Sequence, residues 1–262
     1  SLTTRNSSAP QTTPVAIGNR WWQDFDDPLM DRLADDLLKQ NLDIQIARAR
    51  VNEARGIARS VESGFFPDIS INTVASRGNK QVGFDKPFSI AQGGFDAAWE
   101  LDVFGQTEAS AEAAQQRIEA SIALSEDVTN TVIAELLRAV IEWRQAEQTL
   151  LETEELLSVQ DEQVTLISVR AKAGLIDATY QKRAEAERSQ TATRLPLAKA
   201  SLDAAEYKIE RLLGKESGSL SHILNNTKSE LTVPQEKTAS DISMLRMRSR
   251  PDLRASRANL LA

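Results

Sequence analysis

The residue types that usually carry enzymatic chemistry are sparse in this sequence. Its one histidine, His222, lies beside Ser219 and Ser221, which indicates a surface side chain rather than a ligand or a general base. The acidic pairs at 26–27 and 35–36 are typical of helix caps and of a solvated helix face. No Gly-rich phosphate loop, Ser–His pairing or metal-ligand spacing accompanies them. The sequence therefore predicts a protein that is not an enzyme, with no catalytic residues, no cofactor and no metal site.

Composition narrows the class of protein further. The 262 residues carry a formal net charge of −7, which argues against a nucleic-acid partner. There is no cysteine, so disulfides and thiolate metal sites are excluded. No apolar run approaches the roughly 20 residues of a membrane-spanning helix. No signal peptide is visible, so a secreted protein would be represented here in its mature form.

A long helix must organise the chain. The segment from Gly105 to about Ala171 has no proline and no internal glycine, and a single helix there would be on the order of 100 Å long. Its apolar positions follow the four-and-three step of a coiled-coil seam at Ile118, Ile122, Ser125, Thr129, Val132, Leu136, Ala139, Trp143, Ala146, Leu150, Thr153, Leu157, Gln160, Val164, Ile167 and Ala171. A partial second stripe follows Leu124, Val128, Ile133, Leu137, Val140 and Leu151. Two apolar flanks predict neighbours on two sides, as in a bundle or a closed ring of helices; a two-stranded helical hairpin is the alternative.

On either side of residues 77–87, the apolar residues recur every second position instead of at helical spacing. In 68–76, Ile69 and Ile71 alternate with polar residues. In 91–101, one face carries Ala91, Gly93, Phe95, Ala97, Trp99 and Leu101. About ten residues with one apolar and one polar face suit a transmembrane β-strand. A soluble hairpin is the alternative, but two strands alone are marginally stable, and in a bilayer other copies would have to cover the sheet edges.

Shorter helices flank these segments. Asp27 and Pro28 predict the start of a helix over 28–39, against which Trp21 and Trp22 should pack. A helix is also predicted over 41–63.

Beyond the long helix, Gly174 is the plausible turn residue, and Asp177 can cap a returning helix over 178–213. Within that helix, Pro196 should kink or loosen one turn. The helices over 41–63 and 178–213 would together measure roughly 90 Å, close to the length of the long helix. They are therefore expected to lie beside it.

The end of the chain resembles its beginning at an offset of about 209 residues. Asn41-Leu42-Asp43-Ile44 aligns with Arg250-Pro251-Asp252-Leu253. Leu33 and Leu38 align with Ile242 and Met247. We interpret the chain as the first half, plus a little, of a duplicated protein.

These features resemble the outer-membrane efflux factors (TolC-like), in particular the lipoprotein branch that works with resistance-nodulation-division (RND) pumps. The resemblance covers residues 20–262 and is carried by Trp21-Trp22 through Phe25, Asp27 and Pro28, by Trp99-Glu100-Leu101-Asp102-Val103-Phe104-Gly105, by the run Arg170 to Asp177, by Leu195-Pro196-Leu197, by Leu212-Leu213-Gly214, and by Arg250-Pro251-Asp252-Leu253. That branch normally starts at an acylated cysteine, which this chain lacks. Ser1 is therefore expected to follow such a position, and lipidation stays open.

The resemblance implies a mainly α fold with a small β part. Long antiparallel helical hairpins would form the wall of an α-barrel, and a two-stranded hairpin would contribute to a trimeric transmembrane β-barrel. The implied organisation is an extended arm (1–20), an equatorial helix (21–40), α-barrel helices (41–63 and 105–213), a transmembrane β-hairpin (64–104), an equatorial loop region (214–240) and the start of a second repeat (241–262).

Two sets of site residues follow from the resemblance. The adaptor-contact tip in the periplasm would comprise Arg170, Ala173, Gly174, Leu175, Ile176 and Asp177. The membrane-facing strand residues would be Ile69, Ile71, Phe95, Ala97, Trp99 and Leu101. The expected partners are two further copies in a homotrimer, a periplasmic adaptor protein, an inner-membrane RND-type pump and outer-membrane lipid of a Gram-negative bacterium.

The function implied is a passive duct that exports small molecules such as drugs or metal ions. A periplasmic adaptor protein, which is also built on a long helical hairpin, is the alternative. It would require a lipoyl-like β-domain beside the hairpin, and no such run of short strands is present in the sequence.

Overall fold

The structure is a computed structural model, and it describes residues 20–78, 88–225 and 250–262. In chain order the elements are a 3₁₀ turn (Trp21–Phe25), α1 (Pro28–Gln40), α2 (Leu42–Glu62), a 3₁₀ turn (Ser63–Phe65), β1 (Asp68–Gly78), β2 (Phe88–Ala98), α3 (Gln106–Lys172), α4 (Ala178–Ala192), α5 (Arg194–Leu213), α6 (Ser221–Asn225) and α7 (Pro251–Leu261). The prediction of a mainly helical fold with a small β part is confirmed. In these ranges no helix combines the length and apolar character needed to cross a membrane.

Parts of the sequence predictions fall elsewhere in the chain. The arm up to residue 19, most of the loop between the strands, and residues 226–249 lie outside the described residues. The predicted alignments of Leu33 with Ile242 and of Leu38 with Met247 therefore also lie outside the described residues.

The described residues form two compact units. One comprises 20–47 and 125–225, and the other comprises 48–78, 88–124 and 250–262. The helix α3 contributes its first part to the second unit and its remainder to the first.

The prediction of one uninterrupted long helix is confirmed by the 67 residues of α3. It begins where Gly105 has a φ of +76° and where the Asp102 carboxylate accepts hydrogen bonds from the N–H groups of Gln106 and Thr107, both at 2.8 Å. Every predicted seam position from Ile118 to Ala171 is buried or half-buried. The seam therefore faces packed neighbours along its length.

The second stripe of α3 is only partly covered. Ile133, Leu137 and Val140 are buried, whereas Leu124 and Leu151 are 49% and 53% exposed. Both apolar stripes of α3 are thus covered by neighbouring elements only in the middle of the helix.

One large core cluster holds the first unit together. Its fully buried members come from the 3₁₀ turn and from α1, α2, α3, α5 and the α6 region: Trp22, Met30, Leu33, Leu37, Ile44, Ile133, Leu136, Trp143, Ile209, Leu213, Leu220 and Leu224. The prediction that Trp22 packs against α1 is confirmed. Trp21 lies edge-on to Trp22, with ring centroids 6.2 Å apart.

A buried ion pair fixes the start of α1 to α3. One oxygen of Asp27 caps the helix by accepting hydrogen bonds from the N–H groups of Leu29 (3.0 Å) and Met30 (3.2 Å). The other oxygen pairs with the Arg144 guanidinium, and the two side chains are only 4% and 3% exposed. Asp27 therefore serves both as the predicted N-cap and as a tertiary contact.

Two further buried polar side chains organise the ends of α2 and α5. The Asn41 amide accepts a hydrogen bond from the N–H of Ile44 (3.1 Å) at the start of α2 and donates one to the carbonyl of Leu212 (2.8 Å). The Glu210 carboxylate accepts hydrogen bonds from the N–H groups of Gly218 (3.0 Å) and Leu220 (3.1 Å). Asn41 satisfies backbone groups that the helix ends leave unpaired, and Glu210 satisfies N–H groups of the loop before α6.

The returning helix is loosened at one turn, as predicted, and Thr193 keeps a helical φ of −71° and ψ of −18° there. It divides into α4 and α5 at Thr193, because Pro196 has no N–H to donate to the carbonyl of residue 192. The Thr193 hydroxyl donates to the carbonyl of Gln190 at 2.7 Å. Proline thus lies in the first turn of α5, where a missing donor is tolerated.

In the second unit, α2 packs on the start of α3 through small side chains. Ala58, Ala114 and Ile118 form this cluster.

The helix α7 begins at Pro251, which aligns with Leu42 at the start of α2, so the two copies of the proposed repeat start a helix at equivalent positions.

The buried ion pair generates a stability prediction. Asp27→Ala should lower the free energy of unfolding by about 3–5 kcal/mol, because it leaves the Arg144 charge buried and unpaired. Asp35→Ala, which removes only the half-exposed pair with Arg20, should cost less than about 1 kcal/mol. Urea unfolding followed by the fluorescence of Trp22 and Trp143 measures both. Equal effects of the two substitutions would contradict the assignment, and adding Arg144→Met to Asp27→Ala should restore part of the loss.

Candidate functional sites at the α3–α4 turn and the strand pair

The turn after α3 is closed by backbone hydrogen bonds around one glycine. Gly174 has a φ of +71°, its N–H donates to the carbonyl of Ala171, and the N–H of Leu175 donates to that of Arg170, both at 3.0 Å. This is a Schellman motif. A Cβ at position 174 would meet no atom within 4 Å, so the backbone angle rather than space requires glycine.

Asp177 caps the returning helix, as predicted. Its carboxylate accepts a hydrogen bond from the N–H of Thr179 at 2.7 Å. Hydrogen bonds from the side chain and backbone of Thr179 hold the pKa of Asp177 below its usual value. Among the described residues no ion pair joins Arg170 to Asp177, because the carboxylate is turned toward α4.

The surface of this turn is small and has one apolar projection. Leu175 is 74% exposed, whereas Ile176 is half-buried. Arg170, Ala173 and Asp177 are exposed around it. The turn therefore presents an apolar side chain from a rigid backbone, with charged groups beside it, which is suited to contact with another protein surface.

A two-point ion pair joins α3 to α4 behind the turn. Arg188 donates from Nε to one oxygen of Asp161 (2.7 Å) and from a terminal nitrogen to the other (3.4 Å). The hydrogen bond and the charge of Arg188 hold the pKa of Asp161 below its usual value, and Asp161 raises that of Arg188.

The two strands form an antiparallel pair with distinct faces. Ile69 pairs with Ala97 and Ile71 with Phe95, so these four side chains share a face. Their large members are exposed, Phe95 to 81%. On the opposite face the Asn72 amide donates to Asp96 at 2.6 Å. The predicted alternation of an apolar and a polar face is confirmed for these residues.

The assignment of Trp99 and Leu101 to the second strand was wrong. The strand β2 ends at Ala98, which pairs with Asp68. The residue opposite Trp99 would be Pro67, which has no N–H to continue the ladder. The strands instead extend further toward their connecting loop, to Gly78 and Phe88.

Two features were missed by the sequence reasoning. One is the Asp161–Arg188 pair. Asp161 directly follows the seam residue Gln160, and a charged residue that flanks a helix seam is a candidate for an ion pair with the neighbouring helix. The other is a group of exposed apolar side chains beside the strand ends, including Phe65, Phe66 and Phe104. Their position next to Pro67 and Gly105 could have indicated them.

The chain combines a long helical hairpin with a strand pair that has one exposed apolar face. These features define the protein as a helical one whose β-element is compatible with a membrane. Residues 33–215 match the family described as Outer membrane efflux protein, and the chain belongs to this family. The family assigns the protein to the outer membrane, as the resemblance implied.

Curated relatives support this assignment. Nodulation protein T of Rhizobium leguminosarum bv. trifolii is 25% identical over 203 residues, which are 76% of this chain and 43% of that protein. The probable efflux pump outer membrane protein TtgC of Pseudomonas putida is 25% identical over 247 residues, 90% of this chain and 48% of that protein. The chain thus spans about half the length of the curated relatives it matches.

Solved structures share the fold. The outer-membrane channel OprN has a TM-score of 0.76 and 29% identity, covering 92% of this chain and 55% of that one. The CmeC outer membrane channel of Campylobacter jejuni has a TM-score of 0.74 and 18% identity, covering 99% of this chain and 55% of that one, which shows the fold alone. The chain thus shares its fold with about half of each of these two channels.

The Asp161–Arg188 pair predicts a pH-dependent contribution to stability. Because the pKa of folded Asp161 is depressed, its contribution is present above the ordinary value of 3.8 and is lost as the pH falls through the folded pKa. Asp161→Asn should therefore lower the thermal midpoint at pH 6, and the difference from the unaltered protein should vanish in acid. Circular dichroism melts at both pH values test this.

The effect of Asp161→Asn should be modest and should weaken in high salt, since both side chains are about half exposed. Glu155→Gln, at another exposed position of α3, is the control and should show no such pH dependence. A midpoint difference that persists at low pH would contradict the role of this ion pair.

Proposed function

We propose that the protein is the outer-membrane channel component of a tripartite efflux pump and acts as a passive duct for small molecules. The observation that carries the proposal is the match of residues 33–215 to the efflux family. The relatives include proteins whose names specify antibiotic efflux and toluene efflux. Small organic solutes are therefore the proposed cargo class.

The duct needs no catalytic group. The helices over 41–63 and 105–213 would form the wall of a periplasmic tunnel, and 64–104 would provide the membrane strands. Residues 21–40 and 214–240 would form an equatorial belt, with 1–20 as an arm and 241–262 as the start of a second repeat.

Assembly as a homotrimer is implied by the family resemblance, and the surfaces that the chain leaves uncovered support association with further copies. Within the described ranges the strand pair has two unpaired edges, which cannot face lipid. Exposed apolar side chains also continue along α3, including Leu124, Leu151, Leu156, Val159 and Leu166. Further copies would pair the edges and cover these side chains.

The turn between α3 and α4 is the proposed contact with a periplasmic adaptor protein. Its residues are Arg170, Ala173, Gly174, Leu175, Ile176 and Asp177. The adaptor would connect the duct to an inner-membrane RND-type pump, which supplies the energy for export.

A charge on the apolar face of the strands tests the membrane assignment. Phe95→Arg should reduce the yield of trimer in the outer-membrane fraction, since a lipid-facing arginine costs about 2–4 kcal/mol near the bilayer midplane. Gln92→Arg, on the opposite face of the same strand, is the matched control and should leave assembly intact. Fractionation and electrophoresis of the intact protein measure both. Normal assembly of Phe95→Arg would contradict a lipid-facing position.

A charge on the tip tests the adaptor contact. Leu175→Glu should reduce efflux in a drug-accumulation assay and weaken adaptor cross-linking while leaving trimers intact. Leu197→Glu in α5, which is 68% exposed, provides a control of similar exposure away from the tip. Loss of trimers in Leu175→Glu would mean that the tip assignment is wrong.

A further inference from the structure

One charged residue lies on the apolar face of the strand pair. Arg77 in β1 shares this face with Ile69, because side chains at every second position of a strand point the same way. Its register partner in β2 is Ser89, and the next pair on the face is Ala75 with Ala91. None of these three neighbours is acidic, so they supply no counter-charge to the guanidinium.

The two polar side chains of this pair are suited to an anion. Arg77 and Ser89 are both exposed. A guanidinium presents its N–H donors in a planar fork that fits two oxygens of a phosphate, and a serine hydroxyl adds one further donor. Residues directly opposite each other in an antiparallel pair have Cβ atoms about 5 Å apart, so both side chains can reach the same phosphate group.

The position of Arg77 along the strand corresponds to the edge of a hydrocarbon layer. It lies eight residues beyond Ile69, next to the last residue of β1. With a rise of about 3.3 Å per residue and a tilt of about 40°, this distance is about 20 Å along the membrane normal. The apolar band of a membrane β-barrel is about 25 Å tall, and a long arginine side chain extends beyond its own Cα toward the headgroups. The guanidinium therefore reaches the headgroup level.

The connections of the strands determine which leaflet this is. The helix α2 precedes β1 and α3 follows β2, so both helices adjoin the strand ends at Asp68 and Ala98. Arg77 and Ser89 lie at the opposite ends of the two strands. In the proposed function the helices are periplasmic, which places this pair in the outer leaflet.

The surface below the pair can accommodate a lipid chain. Ala75 and Ala91 are followed on this face by Thr73 and Gly93. A Cβ built at Gly93 would meet only the Thr73 methyl group, at 3.9 Å. These side chains project little from the sheet, so an acyl chain that descends from a phosphate at Arg77 can lie against the strands.

We infer that Arg77 and Ser89 bind the phosphate of a lipid in the outer leaflet of the outer membrane. The guanidinium and the phosphate have complementary charges, and the acyl chain contacts the apolar face of the strands. The inference rests on the proposed function, because it requires the strands to lie in a bilayer with the helices on the periplasmic side.

Native mass spectrometry of the intact trimer in detergent, titrated with diphosphorylated lipid A, tests the inference. Arg77→Gln removes the charge, and Arg77→Lys keeps the charge without the planar fork. Arg50→Gln, at an exposed position of α2, is the matched control for the loss of one arginine. Dephosphorylated lipid A is titrated in parallel, and each variant is checked for trimer content and for its presence in the outer-membrane fraction.

Arg77→Gln should weaken the binding of diphosphorylated lipid A about tenfold, as expected for the loss of charge-assisted hydrogen bonds, and Arg77→Lys should weaken it less. Arg50→Gln should bind like the unaltered protein, and the dephosphorylated lipid should not distinguish the variants. If Arg77→Gln fails to assemble, Ser89→Ala provides the measurement and should weaken binding several-fold.

Unchanged affinity of the assembled Arg77→Gln trimer would overturn the inference. Displacement of the lipid by an equal concentration of inorganic phosphate would also overturn it, since that result indicates a site for a free anion. Either failure leaves the proposed function standing, whereas absence of the unaltered protein from the outer-membrane fraction contradicts that function itself.

Discussion

A helix of 67 residues cannot bury its own apolar surface, and this constraint governs the other described elements. In the first unit, α1 and α5 cover α3 with large side chains around Leu136 and Trp143. In the second unit, α2 covers the beginning of α3 through alanines and Ile118. The apolar side chains that remain exposed on α3 are the physical reason to expect further copies of the chain.

Buried polar groups determine how the covering helices are placed. Asp27, Asn41 and Glu210 each satisfy backbone N–H groups near a helix end or in a loop. Asp27 and Asn41 also bond to a second helix, through Arg144 and the carbonyl of Leu212. Such groups add little net stability compared with well-packed apolar residues, but a displaced helix would leave them unpaired. They therefore fix the position and register of the covering helices.

Local patterns determined what could be predicted from the sequence. The heptad step of α3, proline at the start of α1 and glycine at the α3–α4 turn each act within one or two turns of helix, so their consequences were visible in the sequence. The partner of Asp27 lies 117 residues away, at Arg144, and no local pattern indicates it.

The errors have the same origin. The end of β2 at Ala98 depends on Pro67 in the paired strand, so the alternation within the segment 91–101 alone could not reveal it. The tip geometry was predictable because Gly174 and Asp177 make only local hydrogen bonds. Periodicity indicated the helices and strands, whereas contacts between distant segments required the structure.

The packing also changes in kind along the helical hairpin. Near α1 the core contains Leu136, Trp143, Ile209 and Leu213, whereas the fully covered positions of α4 are only Ala184 and Thr191. Large buried side chains resist displacement because each loses many contacts when it moves, and small ones lose few. The distal hairpin therefore depends on its Schellman turn, its cap and exposed ion pairs such as Asp161–Arg188 for its local shape.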